Sequence, residues 1–450
     1  MLDYLNRRFM QPLVAAKRHS KHLQYLEELE RSQFDAPEVA RDRQLHALQS
    51  QLRHAYETVP YYRRAWDAAG LHPSVVTSVD DLKYFPILTK ADIRANGPEL
   101  RSELYANSKV RIKTTSGSTG VPLKIFLDER AAQWKTACTI RADQWSGYTL
   151  GQRVAKVWGN PEYRHFGLKG RVMNHFVDRA IYLDTIGLND ARIREFASHL
   201  RKHQPGLLFG HAHSLYLLAC ALKKGKIDDI RPNGIISTAM PLHDWQRVVI
   251  EEVFGTKACN RYGCEEVSLI ASECPAHNGL HIAAESVFVE VQGGGSTGKL
   301  LITDLSNAAM PLIRYQIGDV ATLSDQPCAC GRGLPMIEKV EGRDADFVVT
   351  PAGQLISGIS LTENFAMHIA GAAQVQIVQE TRTELRVRLV TDAQFNDASR
   401  KQIAELVHET FGPTMKHEVE VVENIPQEPS GKYRFCISKV GAEFMKGLSA

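Results

Sequence analysis

Residues 114–124 read TTSGSTGVPLK. Glycines at 117 and 120 let a backbone turn so that several N–H groups converge on an anion. The hydroxyls of Thr114, Thr115, Ser116, Ser118 and Thr119 add donors that can follow a moving phosphate. The spacing G-x-x-x-x-G-K-[ST] is absent, so this is not a Walker A loop. A flexible Ser/Gly linker is the plain alternative. Two extended runs, SKVRIKTT and VPLKIFLD, flank the loop and favour phosphate binding.

A second group of residues suits a metal. Cys274, His281, Cys328 and Cys330 form C-x6-H…C-x-C, which can supply tetrahedral ligation of zinc by three sulfurs and one nitrogen. Pro327 and Gly331 frame the C-x-C in a turn. His277 competes with His281, because C-P-A-H is also a short spacing. No acidic ligand or open position is suggested, so a closed structural site is expected. The alternative is a set of buried thiols with a coincidental C-x-C.

These residues need elements to hold them. Leu45, Leu48, Leu52 and Ala55 make a helical stripe within 42–58, ended by the proline of VPYYRR. Residues 241–255 read as a helix ending near Gly255. Val375, Ile377, Leu385, Val387 and Leu389 alternate with polar residues, as in strands. Ile403, Leu406, Val407 and Phe411 return to helical spacing, with Asp397 expected as N-cap and Gly412-Pro413 as the stop. Val419 and Val421 resume alternation. Strand, strand, helix, strand is a compact α+β unit. The expected boundary lies at Gly342–Asp346, giving domains 1–341 and 342–450.

Composition excludes several classes. The 450 residues carry 54 Lys+Arg against 51 Asp+Glu, a net +3, so charge implies no nucleic-acid partner. No run of 18 apolar residues exists, so no membrane span is expected. Neither a signal h-region nor an A-x-A site is apparent, and eight cysteines then read as cytoplasmic thiols. The first 25 residues are basic and mildly amphipathic: a surface helix, or in the sharper reading a membrane-surface helix.

The phosphate loop resembles that of the adenylate-forming superfamily of acyl-CoA synthetases, peptide-synthetase adenylation domains and luciferases. Later motifs follow in the family's order: RYGCEE (261–266), RYQIGD (314–319), EGRDADF (341–347) and PQEPSGK (426–432). VPYYR, ASEC…GLHI, TDLSNAAMPLIRYQIGD and CACGRGLP resemble the branch of phenylacetate-CoA ligases, coenzyme F390 synthetases and CapK-like proteins. Zinc-bearing members of that branch carry the same Cys/His set.

The resemblance implies an α/β fold: a large N-terminal domain with mixed sheets and a small mobile α+β C-terminal lid. It implies ATP, Mg²⁺ and a carboxylic acid, aryl or arylalkyl, converted to acyl-AMP and pyrophosphate and then to an acyl-CoA. Residues 115–120 would hold phosphates, and Glu266 would bind magnesium. Tyr262, Gly263 and the backbone of Ala239 would lie at adenine. Asp319 and Arg343 would take the ribose. Lys432 on the lid would stabilise the transferring charge.

The acid pocket would involve 134–162, 209–216 and 236–242, with Trp134, His211 and His213 as candidate contacts. A core or capping role is the alternative for each. Leu123 stands where many superfamily members have lysine, as in the branch. Ala345 replaces the usual hinge aspartate, and Met240 an acidic residue. Other acceptors (an amine, a hydroxyl or a carrier-protein thiol) stay open, as do an inactive zinc-stabilised nucleotide-binding scaffold and a homodimer.

Overall fold

Apolar periodicity in the sequence finds its elements in the computed structural model, which describes residues 2–114, 123–158, 167–183, 190–341, 347–358, 361, 369–425 and 435–441. The stripe at 45–55 lies on a helix, Pro37–Thr58, and Leu48, Leu52 and Ala55 are fully buried. Val59 is extended, as the residue before a proline prefers. Pro60 then opens the helix Pro60–Ala68, at a position where its missing N–H leaves no helical bond unmade.

The chain forms two compact units. The first comprises Met1–Thr115, Leu123–Leu150 and Cys259–Gly342. Its sheet is antiparallel, in the order Val287–Val291, Thr297–Asp304, Tyr315–Ser324, Met336–Glu341, Leu280–Ile282, Ser268–Glu273 and Ala258–Cys264. Helices Pro37–Thr58 and Pro60–Ala68 pack Leu52, Tyr62 and Trp66 against Ile302, Ile313 and Tyr315 in one core. A further helix, Glu129–Trp145, is capped by Asp128, whose carboxylate accepts from the Ala131 N–H at 2.8 Å. From it the buried Lys135 ammonium donates to Asp304 Oδ2 and to the Val267 carbonyl, both at 2.8 Å. Removing either partner of such a pair leaves an uncompensated buried charge.

The second unit comprises Ser116–Pro122, Gly151–Ala258 and Arg343–Ala450. Its larger sheet is parallel, in the order Gly234–Thr238, Leu207–His211, Val154–Val157, Ala180–Leu183. The strands are short apolar runs, as expected where helices cover a parallel sheet. Helices Asp190–His203, Ala212–Lys224 and Asp244–Phe254 supply that cover through Phe196, Leu215, Tyr216 and Ile250. Gly255 closes the last of these at φ +62°, the left-handed stop that glycine suits.

The C-terminal α+β region carries a smaller sheet, in the order Lys416–Val421, Glu384–Thr391, Ala372–Thr381, Cys436–Ser438. Leu385, Val387 and Leu389 point at the helix Asp397–Phe411, which returns Ile403, Val407 and Phe411. The N-cap is Asn396, one residue earlier than the sequence reading placed it. Its side-chain oxygen accepts from the Ala398 and Ser399 N–H groups, and Asp397 is the first helical residue. Gln379 holds the hairpin of Phe347–Val349 and Leu355–Ser357 by bonding both the N–H and C=O of Val349. Val349 and Val440 also pack on the core of the parallel sheet. Among the described residues, no helix is long and apolar enough to cross a membrane.

Candidate functional site

The strands expected around the phosphate loop are Arg111–Thr114 and Lys124–Leu127, paired antiparallel with Thr114 opposite Lys124. Thr115, Ser116, Gly117, Ser118, Thr119 and Gly120 lie outside the described residues, as do Arg343 and Lys432. Lys113, on the first strand, donates to Ser268 Oγ at 2.9 Å and stands 3.8 Å from Glu265 Oε2. It ties this hairpin to the turn that carries the RYGCEE motif.

That turn is tightly built. The pairing of Ala258–Cys264 with Ser268–Glu273 shifts register between Tyr262 and Gly263. A Cβ at Gly263 would meet the Ser268 carbonyl oxygen at 2.4 Å, so only glycine fits. Ser268 itself adopts φ +70°. The turn leads to Glu266, which is 7% exposed. Glu266 accepts a 2.8 Å hydrogen bond from the Tyr315 hydroxyl, and the Lys90 ammonium stands 3.7 Å from the same oxygen.

Asp319 follows Tyr315 on the strand Tyr315–Ser324 and accepts from the Tyr262 hydroxyl at 2.8 Å. The structure thus joins two motifs in two parallel contacts, Tyr262 with Asp319 and Glu266 with Tyr315. Burial, reinforced by Cys264 and Glu266, pushes the Tyr262 phenol well above its ordinary range. Burial does the same to Tyr315, with Glu266 adding to it. Both phenols therefore stay protonated and donate to carboxylates. Tyr315 and Lys90 were missed from sequence. Tyr315 lay inside the RYQIGD motif; Lys90, at the start of the helix Lys90–Asn96, had no local signal.

In the second unit, the carboxyl edge of the parallel sheet is where open α/β sheets bind ligands. His211 ends the strand Leu207–His211, is fully buried, and neither ring nitrogen has a partner among the described residues. Its ring lies 3.9 Å from that of Trp158, which also stacks on Phe209 at 5.5 Å. Burial lowers its pKa to about 4, so the imidazole is neutral. His213 differs: its Nδ1 meets the Gln246 amide, which joins helix Ala212–Lys224 to helix Asp244–Phe254. Ala239, just past the strand Gly234–Thr238, holds φ +67°. A non-glycine residue there stores backbone strain of about 1–3 kcal/mol, and such strain clusters at ligand sites.

Trp134 belongs to the first unit. Its indole N–H donates to the Glu285 carbonyl at 3.1 Å and its ring meets Tyr25 edge-on. It lines a cavity of about 130 Å³ with Gln44, Arg130 and Leu305.

The cysteine cluster also lies in the first unit. Cys274 follows the strand Ser268–Glu273, and His281 sits on Leu280–Ile282. Cys328 and Cys330 occupy a turn closed by the Gly331 N–H on the Cys328 carbonyl, with Gly331 at φ +78°. The four ligand atoms all lie within 4.8 Å of one another. Cys274 Sγ is 3.6 Å from Cys328 Sγ, and His281 Nε2 is 3.2 Å from Cys330 Sγ. Tetrahedral zinc asks for roughly 3.5–3.8 Å between such atoms. The other ring nitrogen, Nδ1, lies 3.3 Å from the Leu334 carbonyl, the outer contact that turns Nε2 toward a metal. His277 stands aside, 3.3 Å from Glu273 Oε2, so His281 completes the set.

The fold is that of the adenylate-forming CoA ligases. Solved 2-hydroxyisobutyryl-CoA ligase, in complex with 2-HIB-AMP and CoA, matches 93% of this chain and 94% of its own with a TM-score of 0.61 at 21% identity. Residues 348–439 match the CapK C-terminal domain. By sequence, the chain is a homologue of phenylacetate-coenzyme A ligase from Pseudomonas putida, 26% identical over 86% of this chain and 89% of that protein. It is similar also to Protein CapK from Staphylococcus aureus, at 25% identity over 81% of each. The resemblance read from five short motifs thus extends along most of the chain.

Proposed function

We propose that this protein is an AMP-forming ligase that adenylates a carboxylic acid, most simply an aryl or arylalkyl acid, and passes the acyl group to coenzyme A. The observation that carries the reading is the paired contact of Tyr262 with Asp319 and Glu266 with Tyr315 on one antiparallel sheet. A carboxylate accepting from a phenol can exchange it for ribose hydroxyls, which suits Asp319 to the nucleoside. Glu266 and ATP phosphate oxygens form the hard oxygen set that suits Mg²⁺. Magnesium would neutralise phosphate charge when bound.

The chain's own residues do the rest. Lys90 beside Glu266 adds positive charge where pyrophosphate departs. The protonated Tyr315 fixes the orientation of the Glu266 carboxylate. The hydroxyl-rich loop 115–120 cradles the β- and γ-phosphates, with Arg343 at the ribose. Lys432 steadies the negative charge on the carboxylate and the α-phosphate oxygens while the acid's oxygen attacks and pyrophosphate leaves. His211, neutral and without a partner among the described residues, is the acid-pocket residue suited to a polar substituent, and His213 supports its helix. The 342–450 lid then turns to admit the thiol. Cys274, His281, Cys328 and Cys330 fit a structural zinc ion, and eight free thiols suit a reducing cytoplasm.

A pyrophosphate-release screen over aromatic and aliphatic acids, with and without CoA, tests the proposal. Acid-dependent pyrophosphate together with CoA consumption is the expected result; no release with any acid would overturn it. A second reading keeps adenylation but passes the group to an amine, a hydroxyl or a carrier-protein thiol in place of CoA. Its signature is AMP formation while CoA stays unacylated.

A further inference from the structure

Residues 2–17 form one helical run made of Leu2–Leu5, a π-helical stretch Asn6–Met10, and Gln11–Lys17. Asn6 and Ala15 are buried on its inner side. Leu5, Phe9 and Leu13 recur every four residues and are 40%, 58% and 63% exposed. Tyr4 and Leu2 are exposed beside them, at 58% and 47%. Of the other exposed apolar side chains, Leu168, Val172 and Phe176 form a second, shorter row on residues 167–178, while Ile112 and Val248 stand singly, which is ordinary. A row of large ones on a single helix is not.

Charge identifies the occupant. Residues 1–21 hold five basic side chains (Arg7, Arg8, Lys17, Arg18, Lys21) against one acid, Asp3, so their net +4 exceeds the +3 of the whole chain. All five basic residues are exposed. An apolar row on a helix that also carries exposed cations is the pattern of a helix lying in the plane of an anionic bilayer surface, with no span required. A second copy of this chain is a poorer fit. A two-fold interface sets the same patch against itself and would oppose like charges.

From this row and its cations, we infer that the N-terminal helix is a reversible docking surface for membranes rich in anionic lipid. The inference stands independently of the adenylation reading.

Co-sedimentation of the full chain with vesicles tests it. One vesicle set is pure phosphatidylcholine; the other contains about one-third phosphatidylglycerol. Wild type should pellet with the anionic set only, and less so as salt rises. Arg7→Gln with Arg8→Gln should lower the partition coefficient about 25-fold, at roughly fivefold per cation. Phe9→Ser with Leu13→Ser should lower it about tenfold or more. Melting temperatures should not move, because these side chains face outward. Wild type that does not pellet overturns the inference, as does pelleting of both double variants at the wild-type level. So does a Phe9→Ser/Leu13→Ser variant that pellets normally but has lost a dimer seen by light scattering, since the row would then be a self-association face.

Discussion

Glu266 is buried and keeps a phenol and an ammonium against its carboxylate, so the position of that carboxylate is fixed. Glu266→Gln preserves an acceptor for the Tyr315 hydroxyl and removes the charge. The protein should therefore fold normally and lose about 10²–10³ in acid-dependent pyrophosphate exchange; unchanged exchange would refute the magnesium role. His211 makes a pH prediction. Its folded pKa, about 4, lies below the ordinary histidine value of 6.5. Between those values the unfolded chain binds more protons, so stability rises with pH across the window and is lost as pH falls through it. Going from pH 7 to pH 5 should cost roughly 2 kcal/mol from this residue alone. His211→Leu should flatten that part of a urea-unfolding pH profile. A slope that survives the substitution would place the titration elsewhere.

Elements decide whether those side chains arrive together. Tyr262 precedes a bulge and Glu266 lies in the turn that follows it, and the turn exists because Gly263 brings the strand within contact of the Ser268 carbonyl. Gly263→Ala would force that backbone apart. We expect a loss of about 1–3 kcal/mol in unfolding experiments and a larger loss of nucleotide binding by calorimetry, because Tyr262 and Glu266 would lose alignment. A variant that binds ATP like wild type would show that the bulge does not position them. The motif spelling revealed the glycine but not this reason, since the clashing atom belongs to the returning strand. The N-cap shows a smaller effect of the same kind. Asn396 and Asp397 are both good cap residues, and the choice fell to the one whose extended backbone aims its oxygen at two N–H groups.

At the scale of the whole molecule, the Cys/His cluster knits three separate stretches of one unit together. Cys328→Ser should cost that unit its metal, near one zinc per chain in wild type, and lower the melting temperature by several degrees. Metal content that survives the substitution would exclude the proposed ligand set. If Lys432 acts as proposed, mainly in the transition state, Lys432→Ala should abolish most acyl-adenylate formation while ATP binding stays largely intact. Equal pyrophosphate exchange in variant and wild type would remove Lys432 from the mechanism. Periodicity and spacing alone determined the helices near 42–58, 241–255 and 397–411, the strands around 375–391 and 416–421, the order of the five motifs and the candidate set of three thiols and an imidazole, because these depend on neighbours close in sequence or on residue chemistry. Tertiary structure decided between His277 and His281, turned His213 into a helix tie while leaving His211 without a partner among the described residues, and brought Lys90 to Glu266 across 176 positions. Those outcomes rest on strand register and burial, which arise only when distant segments pack.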